Sequence, residues 1–479
     1  MKPGNGSRRP AGAGPESRGR TATIVILAVL FAAGAFHWIW FLNYGRMDFK
    51  PYDWGKEFIY YSVLRQAVSS GTMPYHISLA FHGSNRFLAL PEVNLSPQIF
   101  LLPAMSVGTF VVFNTLILYS AGFVGSLLLR RRYRLSLAAF AMFFLLFNFN
   151  GHVTAHMGVG HSMWAGYFLL PFLMLFLLEL LDGEPWRSTS VKLALALFFI
   201  LLQGSFHLFV WCLLFLALML AFNWRRYYKP LVTTVALSAV FSAHRLLPAL
   251  FALWGKKEKF IWSYPTPLEL LDALTSIREH TPDRLRPWGT AGWWEYDAYI
   301  GLVGLAVLVG FGVWLRWSRN PDLDRYKYPP LDLPLAAMTL LSMSYFHAFI
   351  TRIPIPLLKS ERVAMRFIVV PLVVLTVLSA IRMGPTLARI GRGFKFRFVA
   401  VGALVLTALS FLDHSYLWSV GRLGRQFASK DVDLTIPPIQ SQADGFYKTM
   451  VVASIAVSAA AVVAAIYAAV RLRGRERSA

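Results

Sequence analysis

The stretch ATIVILAVLFAAGAFHWIWFL, residues 22–42, contains no charged side chain and has the length of a membrane-spanning helix. It is too long for the core of a signal peptide and lacks a small-residue cleavage site, so we expect it to be retained. The 479-residue chain is 56% hydrophobic, with a mean hydropathy of +0.51. Apolar runs predict an all-α, polytopic bundle of about twelve spans. These are 22–42, 107–129, 135–149, 163–181, 190–203, 207–222, 230–253, 298–316, 334–350, 364–383, 396–412 and 448–471.

Basic residues recur in every second loop between these runs. They lie in the N-terminal tail, 130–134, 223–229, 315–327, 388–397 and 471–477. The positive-inside rule predicts that these loops and both termini are cytoplasmic. A transmembrane domain over 22–471 then has outer loops at 43–106, 254–297 and 413–447, and basic tails at 1–21 (disordered) and 472–479. The net charge of +23 is explained by topology, and we expect a modest further attraction to anionic lipids and no nucleic-acid partner.

The first outer loop carries a cluster of acidic residues, in DFKPYDWGKEFIYY at 48–61. Asp53 precedes a helix predicted over 54–70, whose apolar stripe is expected to lie on lipid in the membrane interface. Asp53 has two interpretations, a helix N-cap or a general base whose pKa is raised by partial burial. Asp48 is either its partner or a solvated side chain.

The second outer loop has a similar arrangement. Thr266, Pro267 and Glu269 form a capping-box start for another interfacial helix. It is followed by WWEYDAYIG at 293–301, whose side chains are candidates for binding sugar. These candidates are Glu295, Asp297 and Trp294; the alternative is an aromatic belt at the membrane surface.

Histidines and arginines mark further candidate positions. Three histidines, His152, His156 and His161, fall in one outer turn, within NGHVTAHMGVGHSMW at 150–164. They could bind zinc, or a phosphate or sugar hydroxyl; the alternative is that they only form hydrogen bonds with loop carbonyls. The spacing matches no strong zinc pattern, and we predict no metal site. Arg362 and Arg366 lie four residues apart and could clamp a phosphate, or else they snorkel beside Glu361.

Two more basic residues lie inside an apolar run. His244 and Arg245 fall within the span predicted over 230–253, where ionisable side chains are costly and usually functional. We add them to the candidate phosphate ligands. The single cysteine, Cys212, excludes an intramolecular disulfide and a cysteine metal cluster. No nucleotide-binding loop is present, so a sugar donor would be lipid-linked.

The acidic loop after the first span, with a helix behind it, resembles the GT-C class of membrane glycosyltransferases. Within that class the chain looks most similar to the YfhO-like proteins, through GHVTAHMGVGHSMW, WWEYDAYIG and SERVAMRF, with coverage of roughly 22–383. The resemblance implies a polyprenyl-phosphate sugar donor, action on the outer face, and a catalytic base at Asp53 or Asp48. The chain departs from the class in lacking a tight D-x-D and a large C-terminal soluble domain.

We therefore expect an inverting glycosyltransferase of the plasma membrane, serving the cell envelope, with a lipid or glycan acceptor. No cofactor is required in this mechanism, although a divalent metal fits the class. Two alternatives remain open. One is a flippase or transporter of lipid-linked saccharides, although the two halves of the chain show no repeat. The other is a non-catalytic subunit of an envelope-polymer assembly system.

Overall fold

The computed structural model describes residues 15–253, 262–278, 291–350, 363–390, 394–426 and 433–478. Within these ranges, eight helical segments are long and apolar enough to cross a membrane, or nine if one bent pair counts as a span. They are Arg20–Phe41, Val107–Tyr133, Leu137–Gly158, Ser162–Leu181, Trp293–Trp317, Ala364–Leu387, Phe398–Trp418 and Gly445–Ala468, with Trp224–Phe241 and Ala243–Ala252 as the pair bent by 76°.

The prediction of about twelve spans is therefore not confirmed for the described part of the chain. The hairpin predicted at 190–203 and 207–222 is present, but each of its helices has 17 residues, short of the roughly 20 that a bilayer core requires. The run 334–350 divides into two still shorter helices. Apolar composition alone did not separate short buried helices from complete spans.

The helices are numbered in chain order. They are α1 (Pro15–Phe41), α2 (Trp54–Ser70), α3 (Val107–Tyr133), α4 (Leu137–Asn148), α5 (Gly151–Gly158), α6 (Leu170–Leu181), α7 (Trp186–Leu202), α8 (Phe206–Phe222), α9 (Trp224–Phe241), α10 (Ala243–Leu253), α11 (Pro267–Thr275), α12 (Trp293–Tyr296), α13 (Gly301–Val307), α14 (Asp332–Leu341), α15 (Ser344–Ile350), α16 (Val369–Ile390), α17 (Phe394–Trp418), α18 (Val420–Gln426) and α19 (Gly445–Ser478). Short 3-10 turns, among them Ser162–Leu169 and Ala364–Ile368, precede α6 and α16.

A small antiparallel sheet joins the first outer loop to the segment before α19. Its strands are β1 (His76–Phe81), β2 (Ser84–Arg86) and β3 (Ile439–Gln440), in the order β2-β1-β3. Asp444 reinforces this connection, because its carboxylate accepts hydrogen bonds from His76 and from Arg86, at 3.2 and 2.9 Å.

Burial separates an enclosed set of helices from a peripheral set. The segment Ala364–Leu387 is almost wholly covered by protein, as is Ser162–Leu181. The segments Phe398–Trp418 and Gly445–Ala468 expose most of their apolar side chains. Exposed apolar side chains on helices of this length match the surface that lipid covers in a membrane.

Contacts between loops sort the chain into two ends. At the end that carries Arg132, the carboxylate of Asp182 accepts hydrogen bonds from Arg132 and Tyr328, at 3.2 and 2.9 Å. At the end that carries Asp53, the Gly151 N–H donates to the Tyr299 carbonyl at 2.7 Å. Three of the loops predicted to be cytoplasmic thus meet at the Arg132 end, and two of the segments predicted to be outer meet at the Asp53 end. Which end faces the cytoplasm stays a prediction.

Both helices predicted in the outer loops are present. In the second, the Thr266 hydroxyl accepts from the Leu268 N–H at 3.2 Å, as a capping residue should. In the first, α2, the apolar stripe includes Trp54, Tyr61 and Leu64, which are all buried. Protein covers this stripe, which packs against α3, the 3-10 helix Pro97–Ala104 and the turn after α5. The expectation that lipid covers the stripe of α2 is therefore wrong.

Candidate active site

The start of α2 is fixed against the turn that follows α5. The Asp53 N–H donates to the Val159 carbonyl at 3.0 Å. Gly160 has a φ of +94°, and a Cβ at this position would clash with the backbone of Trp54. This close approach explains why a glycine separates the predicted histidines, and it sets Asp53 directly beside them.

The Asp53 carboxylate does not cap α2, although its residue occupies the N-cap position. Its Oδ2 instead lies 3.0 Å from His161 Nε2 and 3.4 Å from Lys56 Nζ. Its Oδ1 has no partner among the described residues, and 48% of the side chain is exposed. One oxygen is therefore held in place, while the other is unbonded within the described part of the chain.

The expectation that partial burial raises the pKa of Asp53 is wrong. Burial alone would raise this pKa, but the hydrogen bond and charge of His161 and the ammonium of Lys56 outweigh it. The pKa of Asp53 therefore lies below its ordinary value, and the carboxylate is ionised at neutral pH.

All three predicted histidines are buried and lie in one cluster. His161 Nδ1 lies 2.7 Å from His156 Nδ1, so one of these two nitrogens must carry the proton that joins them. The His156 ring stacks on Trp164 with centroids 4.3 Å apart. The Trp164 indole donates to His152 Nε2 at 3.0 Å. A continuous chain of rings thus leads inward from Asp53. No group of three or more His, Cys, Asp or Glu within the described ranges is arranged to hold a metal ion.

Lys56 connects Asp53 to two residues that the sequence analysis did not single out. Its ammonium lies 2.8 Å from a Glu92 oxygen, and the other Glu92 oxygen lies 3.6 Å from His207 Nε2. Burial would raise the pKa of Glu92, but Lys56 and His207 outweigh it and lower that pKa well below its usual range. The sequence LPEVN around Glu92 matches no motif that would predict a role for this glutamate, because the role depends only on tertiary contacts.

Glu57, one turn along α2, lies in a different environment. It is buried and accepts a hydrogen bond from the Ser162 hydroxyl, which also lies 2.8 Å from the Tyr61 hydroxyl. Burial raises the pKa of Glu57 to about 7, against the opposing effects of Lys56 and Ser162. The carboxyl with the raised pKa is therefore the enclosed Glu57, whereas Asp53 is the accessible one.

Arg366 and Glu295, predicted in separate roles, form a buried pair. Arg366 Nε and Nη2 donate to the two carboxylate oxygens of Glu295 at 2.6 and 2.5 Å. The guanidinium also lies 5.1 Å from the Trp164 ring centroid, and Glu295 lies 3.9 Å from His156 Nε2. Both residues thus join the Asp53 cluster, with their charges directed at each other. Arg362 lies outside the described residues.

The other candidate phosphate ligands lie behind the loop that carries Glu92. Arg245 is buried and donates to the carbonyls of Leu90 and Val93, at 2.6 and 2.7 Å. The His244 N–H donates to the Ser458 hydroxyl at 2.9 Å. Arg245 therefore supports the loop that positions Glu92, and its side-chain hydrogen bonds with the described residues are all to backbone carbonyls.

The remaining candidates differ in access. Asp297 is fully buried, with its Oδ2 at 2.9 Å from His414 Nε2 and 2.8 Å from the Trp418 indole nitrogen. Trp294 is partly exposed, and its ring packs edge-on to that of Tyr52, with centroids 5.3 Å apart. Asp48 is exposed and accepts from the Lys50 N–H at 3.0 Å, a bond within its own turn.

Comparison with known proteins yields one structural similarity. No protein-family model matches the chain, and no curated protein matches it in sequence. The cryo-electron microscopy structure of the arabinofuranosyltransferase AftD from Mycobacteria is similar to it, with 18% sequence identity and a TM-score of 0.46. The matched region covers 81% of this chain and 27% of that chain, so this protein spans about a quarter of the length of AftD.

Proposed function

We propose that this protein is a membrane glycosyltransferase that moves a sugar from a polyprenyl-phosphate donor to an acceptor hydroxyl at its Asp53 end. The observation that carries the proposal is the Asp53 carboxylate, with Oδ2 held by His161 and Lys56 and with Oδ1 free and accessible. A carboxylate fixed through one oxygen presents the other in a defined direction, as a general base requires. The lateral apolar surface of the helices suits a donor that arrives through lipid.

The proposed reaction is a single displacement with inversion. The acceptor hydroxyl donates its proton to Asp53 Oδ1, and its oxygen bonds to the anomeric carbon from the face opposite the phosphate. The bond between that carbon and the phosphate oxygen breaks, and polyprenyl phosphate leaves with the electron pair. A carboxylate of low pKa suits a late proton transfer, because the hydroxyl becomes acidic as its oxygen bonds to an oxocarbenium-like carbon.

The departing phosphate needs a cation, since stabilising developing charge is usually the largest catalytic contribution. Lys56 lies 3.4 Å from Asp53 and 2.8 Å from Glu92, so its charge is already shared between two carboxylates on the side of the base. Arg366 would have to leave Glu295 in order to serve, and Arg362 remains a prediction from sequence. We therefore propose Arg362, together with Arg366 if it is released from Glu295, as the ligands of the phosphate, and this mechanism requires no metal ion.

Sugar binding is proposed for the aromatic pair of Tyr52 and Trp294. Tyr52 adjoins Asp53 in the chain and has a φ of +53°, a strained backbone conformation of a kind that clusters at functional sites. Trp294 lies against it and is partly exposed. An aromatic face next to the base would position the apolar side of a sugar ring.

The test is sugar transfer by the purified protein in liposomes. Radiolabelled polyprenyl-phosphate sugars are offered with a membrane-lipid extract as acceptor, and we expect label to appear in an acceptor from at least one donor. Movement of intact donor across the bilayer without transfer would instead identify a flippase. Absence of both activities, with a second protein co-purifying, would favour the non-catalytic assembly subunit.

A further inference from the structure

A cavity whose lining does not include Asp53 borders one face of α2. It has a volume of about 800 Å³ and is enclosed by the loop after α1, one face of α2, the first turn of α3 and residues 436–438. Phe58, Arg65 and Ser69 line it from one helical face, whereas Lys56 and Tyr60 lie on the face toward Glu92. The lining includes neither Asp53 nor any of its hydrogen-bond partners, so this cleft is a separate site.

Two charged side chains line the cleft within the described part of the chain, and both are cations. Arg46 and Arg65 line it, both are exposed, and neither guanidinium forms a hydrogen bond or ion pair with any described residue. No aspartate or glutamate is among the described residues that line the cleft. Asp48, the nearest acid in sequence to Arg46, binds the Lys50 N–H and does not line the cleft. Two unpaired guanidiniums without a carboxylate present the donor geometry that phosphate oxygens prefer.

The rest of the cleft is largely apolar. Met47, Phe49, Phe58 and Ile436 contribute to its wall, and the rings of Phe49 and Phe58 pack with centroids 5.0 Å apart. The wall continues to Val107, in the first turn of α3. Because α3 is long and apolar enough to cross the membrane, this position lies at the level of lipid headgroups. A ligand in this cleft would contact both its cationic side chains and its apolar wall.

We propose that this cleft binds an anionic membrane lipid, with its phosphate on Arg46 and Arg65 and its acyl or prenyl chain along Met47, Phe49 and Phe58. The close packing of the loop after α1 on α3 gives the site a rigid base, since a Cβ at Gly108 would clash with the Gly45 carbonyl. This site is independent of the proposed sugar transfer, because it shares no residue with the Asp53 cluster.

The test is native mass spectrometry of the full-length protein in a neutral detergent, titrated with dioleoyl phosphatidylglycerol or dioleoyl phosphatidylcholine. We expect the wild type to bind the anionic lipid more tightly, and the double variant Arg46→Gln/Arg65→Gln to bind it about tenfold more weakly, a loss of about 1.4 kcal/mol. Arg425→Gln is the matched control, because Arg425 is exposed and does not line the cleft. The charge-conserving variant Arg46→Lys/Arg65→Lys should retain most of the binding.

Three results would overturn the proposal. The first is equal binding of phosphatidylglycerol by the wild type and the double glutamine variant. The second is equal affinity for phosphatidylcholine, which would show a site that selects no charge. The third is complete displacement of the lipid by millimolar inorganic phosphate, which would identify a site for a free anion.

Discussion

Asp53 Oδ2 lies 3.0 Å from His161 Nε2, in a bond between residues 108 positions apart in the chain. It joins the start of α2 to the turn after α5, and it leaves Asp53 Oδ1 exposed. Because His161 also contacts His156 at 2.7 Å, the orientation of the carboxylate depends on a buried ring cluster. This dependence makes His161 a positioning residue of the proposed reaction.

Replacing His161 should move the pH dependence of sugar transfer. The hydrogen bond and charge of His161 help to lower the pKa of Asp53, and a general base is active only when deprotonated. In His161→Ala this pKa rises, so the acid limb of the kcat/KM profile shifts to higher pH and the maximal rate falls by about tenfold or more. His161→Gln, which can still donate a hydrogen bond, should shift the limb less. An unchanged acid limb in His161→Ala would exclude this role.

Glu57 should make the protein less stable as the pH rises. Its pKa is about 7 in the folded protein and 4.5 in the reference state, so the stability present below pH 4.5 is lost as the pH rises through 7. The shift corresponds to about 3 kcal/mol. Glu57→Gln should therefore raise the Tm at pH 8, and it should flatten the difference in Tm between pH 5 and pH 8. A difference in Tm that persists in full would assign the pH dependence to another group.

The Arg366–Glu295 pair should behave as a buried ion pair. Arg366→Met or Glu295→Met leaves an uncompensated buried charge, and each should destabilise the protein by about 3–5 kcal/mol. The double variant should recover most of that loss in thermal unfolding. The KM of the double variant for the sugar donor distinguishes a structural role of the pair from a role of Arg366 in binding phosphate. An unchanged KM fits a structural pair. A raised KM together with a loss of sugar transfer would instead assign Arg366 as a ligand of the donor phosphate.

Local patterns in the sequence anticipated several elements of the fold. The helix after Asp53, the Thr266 start of α11 and the sorting of loops between two ends follow from apolar periodicity, capping residues and charge. The number of spans and the environment of α2 did not follow. Apolar length does not distinguish a helix covered by lipid from one covered by protein, because both environments exclude water.

The sequence also predicted only some of the residues that meet at the candidate site, because local patterns do not show contacts between distant segments. Asp53, the three histidines, Arg366 and Glu295 meet in one cluster, which is consistent with their selection as polar residues in an apolar chain. The roles of Glu92 and His207 depend on contacts between distant segments, and neither residue belongs to a recognisable motif. The pKa of Asp53 was expected to rise because the sequence indicated partial burial. It did not show His161 and Lys56, whose effects on this pKa outweigh that of burial.

The central claim is that Asp53 accepts the proton of the acceptor hydroxyl, and its most direct test is the single-turnover rate of sugar transfer by Asp53→Asn. Asn has nearly the same shape but cannot accept that proton, so we expect the rate to fall by at least about 100-fold while the Tm and donor binding stay near wild type. Asp48→Asn is the matched control and should transfer sugar at nearly the wild-type rate, since Asp48 is exposed and bonds within its own turn. Transfer by Asp53→Asn at the wild-type rate would contradict the assignment of Asp53 as the base.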